Sequence, residues 1–296
     1  MRGSNDLFMA QAHNTEAGPP VVALTIAGFD PSGGAGVIAD ARTFAAFGCF
    51  PVAAITSLTF QNTVGVYGAT HQTAEVVRAQ LLPLVADFQI ACVKTGMLPT
   101  RAVVKEVARL LGETELRECP LVVDPVVRST SGQDLIDADA LAALKDELLP
   151  RARLVTPNIP EAELLTGLRV ADEAGMRAAA RALRELGARA VLVKGGHLAG
   201  DALDVLDDAG DVHLFRAPRI ATGATHGTGC TLAAALTACL ARGLSLPDAV
   251  AAAKRFVTAA IRRAPQVGHG ATPVNHALRV RFMARGVLID DEVDGD

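Results

Sequence analysis

The chain has 296 residues, of which 50% are hydrophobic and 20% charged, and its mean hydropathy is +0.30. A chain of this length and composition can bury a full core, which excludes a disordered protein and a small disulfide-stapled one. Its 28 Lys and Arg against 32 Asp and Glu give a net charge of −4, which does not favour binding to nucleic acid or to an anionic membrane surface. We therefore expect an enzyme-sized globular protein whose partners are neither nucleic acids nor membranes.

The cysteines and the two ends of the chain bear on its location and organisation. The five cysteines are odd in number, and none are paired at the two-residue spacing of a zinc or redox motif, which predicts reduced thiols and a cytoplasmic protein. Polar residues interrupt any apolar run that a signal peptide would require, and no stretch of about 18 apolar residues follows. We expect a flexible segment over 1–19, one domain over 20–280 and an acidic tail over 281–296.

Along the chain, short apolar or β-branched runs alternate with longer segments of helical periodicity, which predicts an α/β fold around a buried, mainly parallel sheet. The predicted strands are 21–27, 52–58, 91–94, 121–123, 153–155 and 190–194. The predicted helices are 36–47, 74–87, 100–111, 138–149, 171–186, 228–241 and 247–263. The runs 202–206 and 212–216 flank a turn containing glycine, which predicts an antiparallel hairpin at one edge of the sheet. Because ligands of such sheets bind outside the carboxyl ends of the strands, the residues that follow each strand are the first candidates for a site.

The first glycine-rich turn supports two interpretations. Residues 34–39 match G-x-G-x-x-A, but the strand at 50–62 contains no acidic residue for a ribose, and no Gly-Lys pair exists for a phosphate-binding loop of the Walker type; both points argue against a nicotinamide site. The turn feeds a helix in which Asp40 lies about one turn beyond Gly36, near the ligand edge of the sheet. The alternative is that Asp40 is an exposed first-turn residue, favoured by the helix dipole.

A second run of small residues, 225–231, precedes the predicted helix at 228–241. Backbone N–H groups converge where such a loop becomes a helix, and the positive end of the dipole lies behind them, which predicts an anion-binding corner. We expect the dipole to lower the pKa of Cys230, making a thiolate available as a base or as a polar group. The alternative is that Cys230 is a small packing residue and that the glycines cap a loop.

Polar side chains also follow other predicted strands. Asn158 and Glu161 lie three residues apart at a helix start, where they could form a capping box, or Glu161 could hold Mg²⁺ through water. Asp124 directly follows the strand 121–123 and could join the same metal or water network. Lys194 ends another strand before two glycines, either as a contact for a phosphate tail or as a solvated side chain, and Lys94 repeats this pattern.

Seven motifs in this order resemble those of the hydroxymethylpyrimidine/phosphomethylpyrimidine kinases of thiamine biosynthesis, a family of the ribokinase-like superfamily. They are TIAGFDPSGGAG at 25–36, QNT at 61–63, KTGM at 94–97, VDPV at 123–126, TPNIPE at 156–161, KGGH at 194–197 and THGTGC at 225–230. The resemblance covers about residues 20–276 and ends in GHGATPVNH at 268–276. It implies one three-layer α/β/α domain with a mainly parallel central sheet. It also implies transfer of the γ-phosphoryl group of ATP, with Mg²⁺, to an aminopyrimidine alcohol and then to its monophosphate.

The resemblance also implies roles for individual residues, and a homodimer. On the acceptor side, Asp40 and Gln61 match the side chains that hydrogen-bond the aminopyrimidine, Met97 matches the residue that packs on its ring, and Thr59 and Gly28 belong to the same pocket. Cys230 matches the catalytic base, and the backbone of Gly227, Thr228 and Gly229 together with that of Cys230 matches the anion hole. The residues that match the nucleotide side are Asn158, Lys194, Thr225 and His226, with Glu161 and Asp124 at the metal.

Two departures from the family pattern and two competing hypotheses accompany this assignment. Ala224 stands where the family usually has Asn, and Thr130 stands where Lys is frequent, which bears on the phosphate contacts of those two loops.

The first competitor is a pyridoxal or pyridoxine kinase, since relatives with the same Gly-Thr-Gly-Cys ending accept that ring. The second is a catalytically silent ligand-sensing domain on the same scaffold, which would need to keep only the ring contacts.

Overall fold

The computed structural model describes residues 19–128, 135–196, 198, 200–223, 226–283 and 286–290. Nine strands form one sheet in the order β3-β2-β1-β4-β5-β6-β7-β8-β9. These strands are β1 (Val22–Phe29), β2 (Phe50–Gln61), β3 (Val66–His71), β4 (Ile90–Thr95), β5 (Leu121–Val123), β6 (Leu154–Val155), β7 (Ala190–Lys194), β8 (Ala202–Asp208) and β9 (Asp211–Ala217). From β2 to β7 neighbouring strands pair in parallel, whereas β3, β8 and β9 pair antiparallel with their neighbours. The mainly parallel sheet and its edge hairpin are therefore confirmed.

Helices cover both faces of this sheet, which confirms the three-layer α/β/α architecture. They are α1 (Gly36–Ala46), α2 (Ala74–Asp87), α3 (Arg101–Glu113), α4 (Ala138–Ala143), α5 (Ile159–Thr166), α6 (Glu173–Glu185), α7 (Thr228–Ala241) and α8 (Leu246–Arg262). The apolar cluster on one face contains residues of α2 to α6, and the cluster on the other face contains residues of α1, α7 and α8. In β1, Leu24 and Ile26 belong to the first cluster and Ala23 to the second, so a continuous apolar run is buried on both faces.

Three elements differ from the prediction. The segment predicted as one helix over 138–149 ends its α-helical part at Ala143 and continues as a π turn (Leu144–Leu148) and a 3₁₀ turn (Leu149–Arg151), since Pro150 cannot continue an α-helix. The prediction lacked β3, an edge strand that is largely exposed or half-buried. It also lacked α5 as a complete helix, although its start was recognised from Asn158 and Glu161.

The C-terminal part of the described chain also departs from the expected boundary at residue 281. Strands β10 (Val280–Met283) and β11 (Gly286–Ile289) form a separate antiparallel hairpin. Its alternate side chains pack against the apolar cluster of α1, α7 and α8. This packing stabilises the hairpin, since an isolated two-stranded hairpin is at best marginally stable in water. The expected tail therefore contains a packed element up to Ile289. Most of the expected flexible N-terminal segment, together with residues 291–296, lies outside the described residues.

The helix starts distinguish two helices from the others. Side chains cap the N-termini of α2, α3, α4, α5, α6 and α8. The N-cap residues of α1 and α7 are Ala35 and Gly227, and neither makes a side-chain cap. Among the described helices, none combines the length and apolar character that crossing a bilayer requires.

Candidate functional site

Three charged residues that the sequence places after predicted strands lie together at the carboxyl edge of the parallel strands. Lys94 precedes the last residue of β4, Asp124 follows β5, and Lys194 ends β7. The strands are in register, with Val123 paired to both Thr95 and Val155, so these strand ends lie side by side. All three charged side chains are largely buried.

Asp124 and Lys194 form an ion pair in this buried edge. The Lys194 ammonium donates to Asp124 Oδ1 at 3.0 Å, and the Thr156 hydroxyl donates to the same oxygen at 3.2 Å. Burial alone would lower the pKa of Lys194, but the carboxylates of Asp124 and Glu161 raise it, so the lysine remains a cation. The alternative of a solvated Lys194 is wrong, since only 13% of its side chain is exposed.

Asn158 and Glu161 form the capping box that one interpretation predicted. The backbone N–H of Glu161 donates to Asn158 Oδ1 at 2.9 Å, and the backbone N–H of Asn158 donates to Glu161 Oε2 at 2.8 Å. Burial raises the pKa of Glu161 to about 7; Lys194 opposes the shift and the neighbouring Asp124 adds to it. The cap therefore places a carboxyl group that titrates near neutral pH beside a second carboxylate.

Asp40 is fully buried, so the alternative of an exposed first-turn residue is wrong. Its Oδ2 accepts from the Lys94 ammonium at 2.7 Å and from the Thr25 hydroxyl at 2.6 Å, whereas Oδ1 has no partner among the described residues. Burial alone would lower the pKa of Lys94, but the Asp40 carboxylate raises it. The acid of α1 therefore holds a buried cation at the end of β4, and its role as an aminopyrimidine ligand remains a prediction.

The start of α7 lies against the start of α1. Gly227 adopts φ +78°, and a Cβ there would lie 1.7 Å from the carbonyl oxygen of Gly34, so only glycine allows this approach. At the next glycine, a Cβ on Gly229 would lie 3.1 Å from Lys194 Nζ. Thr228, Gly229 and Cys230 are partly exposed, so side chains do not close this corner. An uncapped helix start with a lysine beside it has the properties of an anion site.

The expectation that the helix dipole lowers the pKa of Cys230 is wrong. Burial raises the pKa of this thiol to about 11, and the opposing effects of the Lys94 cation and of a hydrogen bond from the Gly36 N–H do not offset it. The dipole can be inferred from sequence, but the desolvation of the sulfur depends on the packing of α1 against α7. The thiol is therefore protonated at neutral pH.

Asp30 is a site residue that the sequence reasoning missed. Its carboxylate accepts from the Ser32 backbone at 2.8 Å and the Ala35 backbone at 2.9 Å, and lies 2.8 Å from His226 Nε2. Although burial opposes the change, hydrogen bonds from His226, Ser32 and Gln61 lower the pKa of Asp30 to about 2. This carboxylate joins the turn before α1 to the loop before α7. The sequence contained one signal for Asp30, namely its position directly after strand β1.

The predicted acceptor-side residues lie around the end of β1. A Cβ on Gly28 would lie 3.2 Å from Met97 Sδ, and Met97 also borders a cavity of about 310 Å³. The Thr59 hydroxyl donates to the Phe29 carbonyl at 2.9 Å. Gln61 is half-buried and bonds to Asp30. The structure therefore brings these four residues together beside the turn that carries Asp30.

Some predicted positions lie outside the described residues, namely Thr225, His197, Thr130 and Ala224. Lys94 was noticed in the sequence only as a repeat of the Lys194 pattern, and its burial against Asp40 gives it a larger part in the site. Within the described ranges, no three His, Cys, Asp or Glu side chains form a metal-binding cluster.

Comparison with known proteins identifies the family. The model of the phosphomethylpyrimidine kinase family matches residues 30–275. A hydroxymethylpyrimidine/phosphomethylpyrimidine kinase of Streptomyces coelicolor is 48% identical over 87% of this chain and 94% of its own length. A bifunctional thiamine biosynthesis protein of Geobacter sulfurreducens is 49% identical over 86% of this chain, which spans only 52% of that protein.

A solved structure resembles the fold as a whole. The ADP complex of Bacillus subtilis pyridoxal kinase superimposes with a TM-score of 0.79 and 33% identity, covering 88% of this chain and 98% of that one. Pyridoxal kinases are thus structural relatives, whereas the curated relatives above carry pyrimidine kinase or thiamine biosynthesis names. Membership of a kinase family decides against the silent ligand-sensing hypothesis. The chain belongs to the phosphomethylpyrimidine kinase family.

Proposed function

We propose that this chain transfers the γ-phosphoryl group of ATP to the hydroxymethyl group of 4-amino-5-hydroxymethyl-2-methylpyrimidine and then to the resulting monophosphate. The observation that carries this proposal is the start of α7, where the N-cap residue Gly227 supplies no side-chain cap and which lies beside Lys194 at the carboxyl edge of the sheet. Phosphoryl transfer demands mainly positioning and the stabilisation of spread negative charge. Backbone donors and a buried cation supply both.

On the acceptor side, Gln61 can offer both a donor and an acceptor to an aminopyrimidine, and Met97 offers an apolar surface to its ring. Asp30 keeps Gln61 next to the turn before α1. A substrate that leaves the Gln61 carboxamide unpaired loses binding energy, which favours the aminopyrimidine over other rings. Asp40 acts in this proposal mainly by holding Lys94 near Cys230.

We assign Cys230 to the acceptor hydroxyl. Because its thiol is protonated at neutral pH, it orients this hydroxyl rather than removing its proton in the ground state. In a loose transition state the bond from the γ-phosphorus to ADP is largely broken before the new O–P bond forms, so the acceptor hydroxyl needs little activation by a strong base. Its proton passes to an oxygen of the transferred phosphoryl group or to water as the new bond forms. The amides of Gly227 to Cys230 then carry the charge of the transferred group, and loss of one such donor costs about 10² to 10³ in rate.

The carboxyl groups of Glu161 and Asp124 fit a Mg²⁺ ion that also binds phosphate oxygens and water. Mg²⁺ commonly takes only one or two protein carboxylates, and a cation here would relieve the repulsion that contributes to the raised pKa of Glu161. The ion would supply charge neutralisation on the nucleotide phosphates. We assign Lys194 and Asn158 to the nucleotide as well, because Lys194 bonds to Asp124 and Asn158 bonds to Glu161.

A homodimer remains part of the proposal. The β2–β3 edge exposes Phe60, Val64 and Tyr67, with 54%, 60% and 68% of their surface accessible. Several exposed large apolar side chains along one sheet edge are compatible with a protein interface. Light scattering of the purified protein should give about twice the monomer mass, and the value for a monomer would contradict the dimer.

Product analysis tests the proposed activity. The purified protein with ATP, Mg²⁺ and hydroxymethylpyrimidine should form the monophosphate and then the diphosphate, separated by ion-exchange chromatography. Absence of both products rejects the proposal. A higher kcat/KM for pyridoxal in a competition assay would identify a pyridoxal kinase instead.

A cysteine pair tests the assignment of Cys230. The Cys230→Ala variant should lose most of its turnover while binding of the pyrimidine, measured by calorimetry, stays close to normal. Cys119→Ala is the matched control, because this half-buried thiol lies away from the site, between β4 and the 3₁₀ turn Glu115–Glu118. Near-normal kinetics of Cys230→Ala would remove the thiol from the mechanism.

A further inference from the structure

A segment after α8 contacts both halves of the site. Residues 268–276, which we call the strap, begin at Thr63 in the β2–β3 turn. The Thr63 hydroxyl accepts from the backbone N–H groups of His269 and Gly270, both at 3.2 Å, and the Thr63 carbonyl accepts from Ala271 at 2.8 Å. Thr63 is only two residues beyond Gln61, the proposed acceptor contact.

The other end of the strap lies at the start of α7. Pro273 forms a parallel bridge with His226, the residue before Gly227. His276 is buried, and its Nε2 lies 3.0 Å from the hydroxyl of Thr231 in the first turns of α7. Val274 is buried between these two contacts. The nine residues thus reach from the β2–β3 turn to the start of α7.

The contact at Thr63 is also tight. A Cβ on Gly270 would lie 2.0 Å from the Thr63 carbonyl oxygen, so any larger residue must displace one backbone from the other. Gly270 has no left-handed φ, which means that a substitution there perturbs the contact without straining its own backbone. The strap is therefore held at a fixed distance from the β2–β3 turn.

We propose that the strap and Thr63 are positioning elements, which set the separation between the end of β2, where Gln61 lies, and the phosphate-binding start of α7. This inference rests on the proposed function only for its kinetic consequence. Transfer between two bound molecules depends on the distance between them, and a misplacement of about 1 Å can cost about 100-fold in rate. Each pocket keeps its own contacts when the strap shifts, so the separate affinities should change little.

Two glycine variants test the proposal. In Gly270→Ala we expect kcat to fall at least about tenfold, while the affinities for ADP and for hydroxymethylpyrimidine, measured separately by calorimetry, stay within about threefold. Gly65→Ala is the matched control, because Gly65 lies in the same β2–β3 turn, has ordinary φ and has no atom within 4 Å of an added Cβ. Equal kcat values for the two variants, or a loss of affinity that matches the loss of kcat/KM, would overturn the proposal.

Thr63 supplies a second pair of variants and a readout that needs no activity. Thr63→Val removes the acceptor of two N–H groups at constant size and should show the same loss of kcat. Thr63→Ser keeps the hydroxyl and should therefore keep kcat close to that of the unaltered protein. Amide hydrogen exchange in residues 226–231 should become faster in Gly270→Ala and Thr63→Val but not in Gly65→Ala. Unchanged exchange would refute the coupling even for a protein without kinase activity, while missing products from the unaltered protein would refute only the proposed function.

Discussion

Glu161 shows how one side chain combines a structural and a chemical part. Its Oε2 closes the capping box of α5, and the same carboxyl lies buried near Asp124 and Lys194. Burial raises its pKa to about 7 from the ordinary value of 4.5, so the folded protein retains a proton that the unfolded chain releases. Stability contributed by this group therefore falls as pH rises from 4.5 to 7 and remains lower at higher pH.

The Glu161→Gln variant should remove this pH dependence. Gln still accepts the Asn158 N–H, so the cap persists, but no charge is buried above pH 7. We expect its free energy of unfolding to equal that of the unaltered protein near pH 4 and to exceed it at pH 8 by on the order of 1 to 3 kcal/mol. Urea unfolding across this pH range measures the difference.

Glu163→Gln provides the comparison on the same helix. The Glu163 carboxylate also accepts a backbone N–H, from Val170 at 2.8 Å, but outside the buried charged edge. If both substitutions flatten the stability curve equally, the burial of Glu161 is not the cause.

Sequence reasoning succeeded for residues whose position follows from the strand ends and failed where long-range burial decides. Asp124, Asn158, Glu161 and Lys194 could be placed at one edge because parallel strands end together. The pKa of Cys230 could not be predicted, since its burial depends on a helix almost 200 residues earlier in the chain.

At the element scale, a buried ion pair joins α1 to the central sheet. Asp40 lies on α1 and Lys94 on β4, and neither side chain is exposed to solvent. Breaking such a pair by removing one partner leaves an uncompensated buried charge. The pair therefore fixes α1 to the sheet near the point where α1 meets α7.

We expect Lys94→Met to destabilise the protein by about 3 to 5 kcal/mol, because it leaves the Asp40 carboxylate buried without its cation. The double variant with Asp40→Leu should recover part of this loss. Chemical denaturation of the single and double variants measures the coupling between the two residues.

Lys105→Met is the exposed counterpart, since the Lys105–Glu147 pair has side-chain exposures of 49% and 39%. We expect a change within about 0.5 kcal/mol for it. A Lys94→Met variant as stable as Lys105→Met would show that the buried pair adds nothing to stability.

Element boundaries were predictable where periodicity and caps agree. The helix at 74–87 was predicted with its observed bounds, and Thr73 caps it. Edge strand β3 was missed because Gly68 and exposed polar residues obscure its alternation. The prediction of a helix over 138–149 was wrong in its C-terminal half, because the ring of Pro150 crowds the carbonyl four residues earlier and distorts the turns before it.

At the scale of the whole molecule, the β10–β11 hairpin extends the packed chain beyond the predicted domain end. Phe282 packs edge-on to Phe47 with ring centroids 6.2 Å apart, and the Arg242 guanidinium lies 4.1 Å from the centre of its ring. These contacts hold the β10–β11 hairpin against Phe47 and Arg242, the residues that directly follow α1 and α7. They lie at the C-terminal ends of α1 and α7, away from the carboxyl ends of the strands that carry the candidate site.

Phe282→Ala should therefore lower Tm by roughly 4 to 8 °C, through loss of apolar packing, without changing kcat or KM. Met283→Ala, in the same strand but 61% exposed, should leave Tm nearly unchanged. Differential scanning calorimetry with parallel kinetic assays distinguishes the two. A similar Tm for both variants would show that the hairpin does not stabilise the domain.

The Asp30–His226 contact joins residues that are 196 positions apart in the chain. During protein synthesis the turn after β1 leaves the ribosome long before its histidine has been made, and the strap follows later still. A nascent chain can therefore assemble much of the sheet before the start of α7 exists. A chain that terminates before His276 lacks the strap's contact with Thr231, and we expect such a truncated chain to be inactive.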